Sequence, residues 1–306
     1  LEDVIAAQTV LSDVDGAAGQ LVIRGHALGE LAASWSVEQV IGLLFDGFFP
    51  DLADQADVRA RLGTARGEVH DHLNDLLPAL ARLGAYDGMR AGIALLPDGD
   101  SIDDALRLVA APAVLLPAIL RLARGDAAIP PDAALAHAAD MIRMLTGAPD
   151  APKVAALETY LATVCDHGLN ASTFAARVVA STRAGLTSAV LAGLSALKGP
   201  LHGGAPGPVI DMLDEIGDAA HAKAWLEAAL ERGDRLMGFG HRIYRVRDPR
   251  ADALKRAIRK LDATAGRLAY AEAVEAAALA ILRERKPNRS LQTNVEFYTA
   301  LLLEAL

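Results

Sequence analysis

The chain has 306 residues, 52% hydrophobic and 23% charged, a balance that builds a large core divided into two domains and excludes a disordered protein. Its formal charge of −9 excludes a general binder of nucleic acid or of an anionic membrane, because such proteins attract polyanions with positive fields. A single cysteine, Cys165, excludes an intramolecular disulfide framework and suits a reducing compartment, so the expected location is cytoplasmic. In chain order, the opening LEDVIAAQTVLSDVDG has no basic n-region and carries acids early, so it shows neither a secretory signal nor an arginine-rich transit peptide. GQLVIRG (19–25), between glycine-rich turns, reads as one arm of a short N-terminal hairpin. Beyond it apolar residues recur at helical spacing, as in SVEQVIGLLFDGFF, AALAHAADMIRML and ALETYLATV, which predicts an all-α fold.

Two uncharged runs, 108–120 and 184–197, are shorter than a bilayer span, and the first contains Pro112 and Pro117; both are expected to be buried helical segments. Turn-forming residues at 95–101, 123–133, 145–152 and 197–208 separate helices. The last is the densest and marks the expected domain boundary, giving 1–203 and 204–306. Two further helical stretches, 211–232 and 252–285, flank LMGFGHRIYRVRDPR (236–250), and the helical pattern of NVEFYTALLLEAL runs to the last residue without a stop signal.

Three histidines stand in or beside glycine-bearing turns: His167 in DHGLNAS, His202 in GPLHGGA and His241 in GFGHR. Glycine lets backbone and ligand approach closely, whereas a histidine on a helix face is usually a solvated or core side chain. His70 and His72 fall in the second group, since on a helix His70 points away from both His72 and Asp75 and cannot share a metal with them. Cys165 and His167 diverge by about 200° on a helix, so a buried core thiol is the better reading than a nucleophile. GAPGPVIDML lacks the Lys-Ser/Thr and the preceding strand of a phosphate loop. In RVRDPR, Asp248 and Pro249 suit the start of a helix that Arg242 and Arg247 would solvate. An arginine facing back toward His241 would instead suit a small carboxylate, which a guanidinium grips in two places.

The ordered set DHGLNAS, GPLHGGAPGPV, RLMGFGHRIYRVRDPRAD and TNVEFY, preceded by SDVDGAAGQLVIRGHALGELA, resembles the citrate synthase family across essentially residues 1 to 306. The resemblance implies an all-α, two-domain fold with a large domain and a smaller mobile one, assembled as a homodimer. It implies condensation of acetyl-CoA with oxaloacetate to citrate and CoA, with no metal or redox cofactor and no nucleic-acid or membrane partner. By the same resemblance His202 hydrogen-bonds the thioester oxygen and stabilises the developing enolate, and Ser172 orients that histidine. His241 polarises the oxaloacetate carbonyl, His167 binds oxaloacetate, Arg250 clamps one of its carboxylates, and Asn170 lies near the same site. Leu236, Met237, Gly238, Phe239 and Gly240 are expected along the adenine end of CoA, with Asn294 as a further CoA contact.

The base departs from the family's usual Asn-Val-Asp: here the motif is Asn294-Val295-Glu296, which implies Glu296 as the group that takes the methyl proton. Glutamate adds a methylene, and a base must lie within about 2.6–3.2 Å of its proton, so a shift near a bond length costs on the order of 10²-fold unless the loop compensates. An acid in the first turn of a helix, favoured there by the helix dipole, is the structural alternative for Glu296. The resemblance also leads one to expect a segment beyond Leu306 that supplies further arginines, one from a neighbouring subunit. Two other activities fit the same residues. One is a 2-methylcitrate synthase using propionyl-CoA, since one methylene discriminates by only about 1–3 kcal/mol; the other is a non-catalytic paralogue that binds CoA or a dicarboxylate.

Overall fold

The computed structural model describes residues 7–52, 54–199, 202–204, 206–240, 244, 246–261 and 265–306. Helix accounts for 64% and strand for 4%, which makes the chain all-α. The strands are β1 (Ser12–Asp15), β2 (Gln20–Ile23) and β3 (His26–Ala27), an antiparallel sheet in that order with Ser12 opposite Ile23 and Asp15 opposite Gln20. Then follow α1 (Leu28–Ser34), α2 (Val37–Phe45), α3 (Gln55–Leu73), α4 (Leu77–Ala81), α5 (Ala85–Ala94), α6 (Ile102–Ala123), α7 (His137–Thr146) and α8 (Ala151–Thr163). The remaining helices are α9 (Ala171–Ala180), α10 (Leu186–Leu197), α11 (Pro206–Ile216), α12 (Ala219–Glu231), α13 (Pro249–Ile258), α14 (Ala265–Arg285) and α15 (Val295–Ala305).

The chain forms two compact units. A middle unit takes Ser36–Val154 and Leu169–Gly199; a composite unit takes Leu1–Trp35, Ala155–Gly168 and Pro200–Leu306. The passage at Gly199 lies beside the expected boundary, but the N-terminal hairpin and 155–168 belong with the C-terminal residues, which a single cut at 203 does not describe.

The middle unit is built around α6, on which α3, α4, α5 and α7 pack. Ser101 and Asp104 form a capping box that starts α6, satisfying donors that a helix N-terminus leaves open. The uncharged run 108–120 is thus part of a 22-residue helix, long and apolar enough to cross a bilayer, contrary to the sequence reading; its buried residues Leu106, Ala110, Val114, Leu115 and Ile119 make it the unit's central helix. The run 184–197 also differs from expectation. On α10 only Thr187 and Ala189 are buried, α9 buries none of its residues, and Phe174 and Val178 are 47% and 50% exposed.

In the composite unit α13 and α11 pack on α15, α12 on α14, and α1 on α13. Helix α15 is apolar around most of its circumference and is correspondingly buried, with Val295, Phe297, Tyr298, Ala300, Leu301 and Leu302 in one core with Leu254, Ile258 and Val274. The N-termini of α13 and α15 meet there, and most of the described candidate residues lie around them.

Candidate active site

Asp248 starts α13. Its carboxylate accepts from the Arg250 backbone N–H at 3.0 Å, the ordinary work of an N-cap, with Pro249 in the first turn as the sequence suggests. The same carboxylate also accepts from Arg250 Nε (3.0 Å) and Nη2 (2.8 Å), and from the Val295 backbone N–H (3.2 Å) in the first turn of α15. One buried aspartate thus fixes the arginine and joins two helix starts that are 47 residues apart. Sequence reasoning assigned it only the cap. Arg250 is itself 4% exposed, with its guanidinium carbon 5.6 Å from the centre of the Tyr244 ring, a cation–π distance. Because Asp248 already occupies the Nε–Nη2 edge of the fork, a substrate carboxylate could use that edge only by displacing Asp248.

Glu296 stands in the first turn of α15. Asn294 is the N-cap, its Oδ1 accepting from the Glu296 backbone N–H at 3.0 Å. Burial pushes the Glu296 carboxyl up to about 7; the Arg250 charge works against that and the Asp248 charge adds to it. Half-protonated near neutrality, Glu296 has the affinity that suits a general base at physiological pH. Tyr160 on α8 is pushed up to about 12, first by burial and then by the Glu296 charge, so it stays a neutral phenol beside the site. His167 follows α8 on a turn tied to the hairpin, where Asp166 accepts from the Ser12 hydroxyl and from the Gly168 backbone N–H. Burial lowers its affinity for a proton and the Arg250 charge lowers it further, which favours the neutral imidazole. The structure therefore brings His167, Arg250 and Glu296 together electrostatically.

The stretch Leu236–Gly240 runs against 292–294. Phe239 and Thr293 form an antiparallel bridge, Gly240 N–H donates to the Gln292 carbonyl at 2.7 Å, and Asn294 N–H donates to the Gly238 carbonyl at 3.0 Å. The Asn294 side chain closes the pairing with Nδ2 donating to the Gly240 carbonyl at 2.9 Å. Gly238 has φ +83°, and a Cβ there would lie 2.8 Å from Phe297 Cδ2, so glycine is required by the packing of this turn on α15. Leu236, Gly238 and Phe239 are buried, and Met237 and Gly240 are half-buried.

His202 lies in the turn between α10 and α11, half-buried and in the same composite unit. His241 lies outside the described residues, as does Arg242. Asn170 and Ser172 belong to the middle unit, where the structure gives Asn170 a capping role. Asn170 Oδ1 accepts from the Ser172 and Thr173 backbone N–H groups at 3.0 Å each and from the Ser172 hydroxyl at 2.7 Å, starting α9. Arg247 does not simply solvate its helix: it pairs with Asp252 at 2.5 Å and with the buried Glu275 at 2.8 Å. Burial pushes the Cys165 thiol up to about 12, which makes it a poor nucleophile. His72 Nε2 is 2.9 Å from the Leu95 carbonyl, and among the described residues no group of three or more potential ligands could hold a metal.

Fold and site together define an all-α protein with a carboxylate and an arginine at two helix starts and a histidine within the field of that arginine. The chain belongs to the citrate synthase family: the family model described as citrate synthase, C-terminal domain, matches residues 1–306. It is 35% identical over 319 residues to the citrate synthase of Haloferax volcanii, covering 98% of this chain and 82% of that protein. To the 2-methylcitrate synthase of Mycobacterium tuberculosis it is 36% identical over 270 residues, covering 85% and 69%. Its fold matches the citrate synthase of Thermoplasma acidophilum, solved as a ternary complex with carboxymethyl coenzyme A and oxaloacetate, with a TM-score of 0.87, 25% identity, and coverage of 99% and 83%.

Proposed function

We propose that this protein condenses acetyl-CoA with oxaloacetate and hydrolyses the resulting citryl-CoA to citrate and CoA. Family membership over the whole chain makes it a condensing enzyme, and the observation that carries the assignment of roles is Glu296, a carboxyl poised near 7 within the fields of Arg250 and Asp248, which also reach His167. Glu296 takes a proton from the acetyl methyl group while His202 donates a hydrogen bond to the thioester oxygen, so that the electron pair left behind is held as a hydrogen-bonded enolate. The enolate carbon attacks the oxaloacetate carbonyl, which His241 polarises; the carbonyl electron pair becomes an alkoxide that accepts a hydrogen bond from His241, and the thioester carbonyl is restored. Water then cleaves the thioester of citryl-CoA. The acyl group is converted to an alkyl on transfer, and the electron pairs balance without a metal or redox cofactor.

Arg250 and His167 hold the dicarboxylate, and the backbone of 236–240 with Asn294 receives CoA. The protein acts in the cytoplasm, free of membrane and nucleic acid, as a homodimer. Exposed Phe174 and Val178 on α9, four residues apart on one face, offer an apolar surface that a second copy would cover. A second reading, 2-methylcitrate synthesis from propionyl-CoA, is favoured by the identity to a 2-methylcitrate synthase. A thiol-release assay with oxaloacetate and each acyl-CoA separates the two. Faster turnover with acetyl-CoA is expected, a preference for propionyl-CoA selects the second reading, and no release with either overturns both.

A further inference from the structure

We propose that Glu275 is a positioning residue for the base Glu296, acting through Thr293 and Tyr298; this inference rests on the function proposed above. Glu275 lies on α14, 5% exposed, and its carboxylate takes four donors from four parts of the composite unit. Oε1 accepts from the Thr293 hydroxyl at 2.6 Å and from Arg247 Nη1 at 2.8 Å; Oε2 accepts from the Tyr298 hydroxyl at 2.5 Å and from Lys255 Nζ at 3.2 Å. A carboxylate has about four lone-pair sites, so this one is fully used. Burial pushes it up, but the hydrogen bonds from Thr293 and Tyr298 and the Arg247 charge outweigh that and hold it ionised.

Two of the donors bracket the base in sequence, Thr293 three residues before Glu296 and Tyr298 two residues after it. Thr293 also forms the bridge with Phe239, and the next residue, Asn294, caps α15 through the Glu296 backbone N–H. Glu275 therefore grips the start of α15 from both sides of Glu296, while Arg247 and Lys255 tie the same carboxylate to the approach and body of α13, the helix that carries Arg250. The charges facing Glu275 are themselves paired, Arg247 with Asp252, and Lys255 with Glu272, which also meets Arg259. A buried ion cluster of this kind adds little stability beyond what an apolar packing would give. What four fixed donors supply is position, and a displacement of about 1 Å at a reacting group can cost about 10²-fold in rate.

The test compares wild type with Thr293→Val, Glu275→Gln and Tyr298→Phe in thiol release with each substrate varied up to saturation across pH, with circular dichroism to establish folding. The expected result in folded variants is a kcat lowered by about tenfold or more, KM for both substrates within about twofold, and a shift of about half a pH unit or more in the kcat midpoint. Folded Thr293→Val that lacks either the kcat loss or the midpoint shift overturns the inference, and this variant decides alone if Glu275→Gln does not fold. Turnover by wild type together with wild-type-like variants sinks the positioning role only; no thiol release by wild type sinks the function reading and, with it, the inference.

Discussion

Each unit contains a buried arginine paired with an aspartate, and the two pairs are built differently. In the middle unit Arg66 is 0% exposed; Nε donates to Asp140 at 2.7 Å, and Nη2 donates to the Leu135 and Asp132 carbonyls at 2.9 and 3.1 Å. Asp140 in turn accepts from Arg143 and from the Asp132 backbone N–H, and His137, whose own N–H meets Glu38, completes the cluster. Besides Asp140, the Arg66 fork reaches His137 and two backbone carbonyls, so it holds the loop of 130–137. Arg250 and Asp248 are neighbours in sequence instead, and their pair sits at two helix starts beside groups that titrate. Its charge lowers the proton affinity of both His167 and Glu296. A buried ion pair becomes part of a site when its field falls on groups with work to do, and remains scaffold when carbonyls absorb it.

The sharpest test of this contrast is Glu296→Gln, expected to lower kcat by about 10²–10⁴-fold with an unchanged helical spectrum, as for loss of a general base; retained rate would mean that another group takes the proton. Next, Arg66→Leu should cost about 3–5 kcal/mol in urea unfolding because it leaves Asp140 buried with one cation fewer. Arg250→Lys, which keeps charge but loses the fork, should cost less stability than Arg66→Leu, which removes its cation outright, while thiol release falls by about 10²-fold. If Arg66→Leu spared stability and Arg250→Lys unfolded the protein, the contrast would be reversed.

The two regions should also respond to pH with opposite signs. Glu296 has a raised affinity, so its contribution to stability is present below its ordinary value of 4.5 and is lost as pH rises through about 7, while kcat rises over that upper range as the base ionises. His137 is lowered to about 4, by burial first and then by Arg66, so its contribution is present above 6.5 and is lost as pH falls through about 4. Each should amount to on the order of 3 kcal/mol, read as a pH slope of unfolding that Glu296→Gln removes on the alkaline side and His137→Gln on the acid side. The smallest effect should come from Cys165, which is half-buried: with its thiol near 12, iodoacetamide at pH 8 should leave thiol release unchanged, and rapid inactivation would contradict that raised thiol.

Much of this was legible in the sequence where periodicity and turn chemistry are local. Helical spacing revealed the all-α class, GQLVIRG the hairpin arm, and Asp248-Pro249 the start of α13. What was not legible depends on residues far apart in the chain. A glutamate within EAVEAAALA reads as a solvated helix face, and only the packing of α14 on its neighbours turns Glu275 into a buried acceptor. Arg247 likewise reads as solvating until Asp252 and Glu275 are placed beside it. Asp248 reads as a cap, and its second task requires Val295. Apolarity in 184–197 predicts a helix but not what covers it, so the openness of α9 and α10 was invisible, as was the extension of the 108–120 run through charged flanks into one long helix.

The composite unit is assembled from three separated stretches of chain, and this gives it a place in time as well as in space. All residues of the middle unit have been synthesised before α11 is complete, whereas Arg250 and Glu296 can be joined through Asp248 only after α15 has been made. The middle unit can therefore fold during synthesis, with the hairpin and the residues around His167 waiting for their partners. The pairing of Arg250 and Glu296 through Asp248 therefore forms only after every residue of the middle unit has been made.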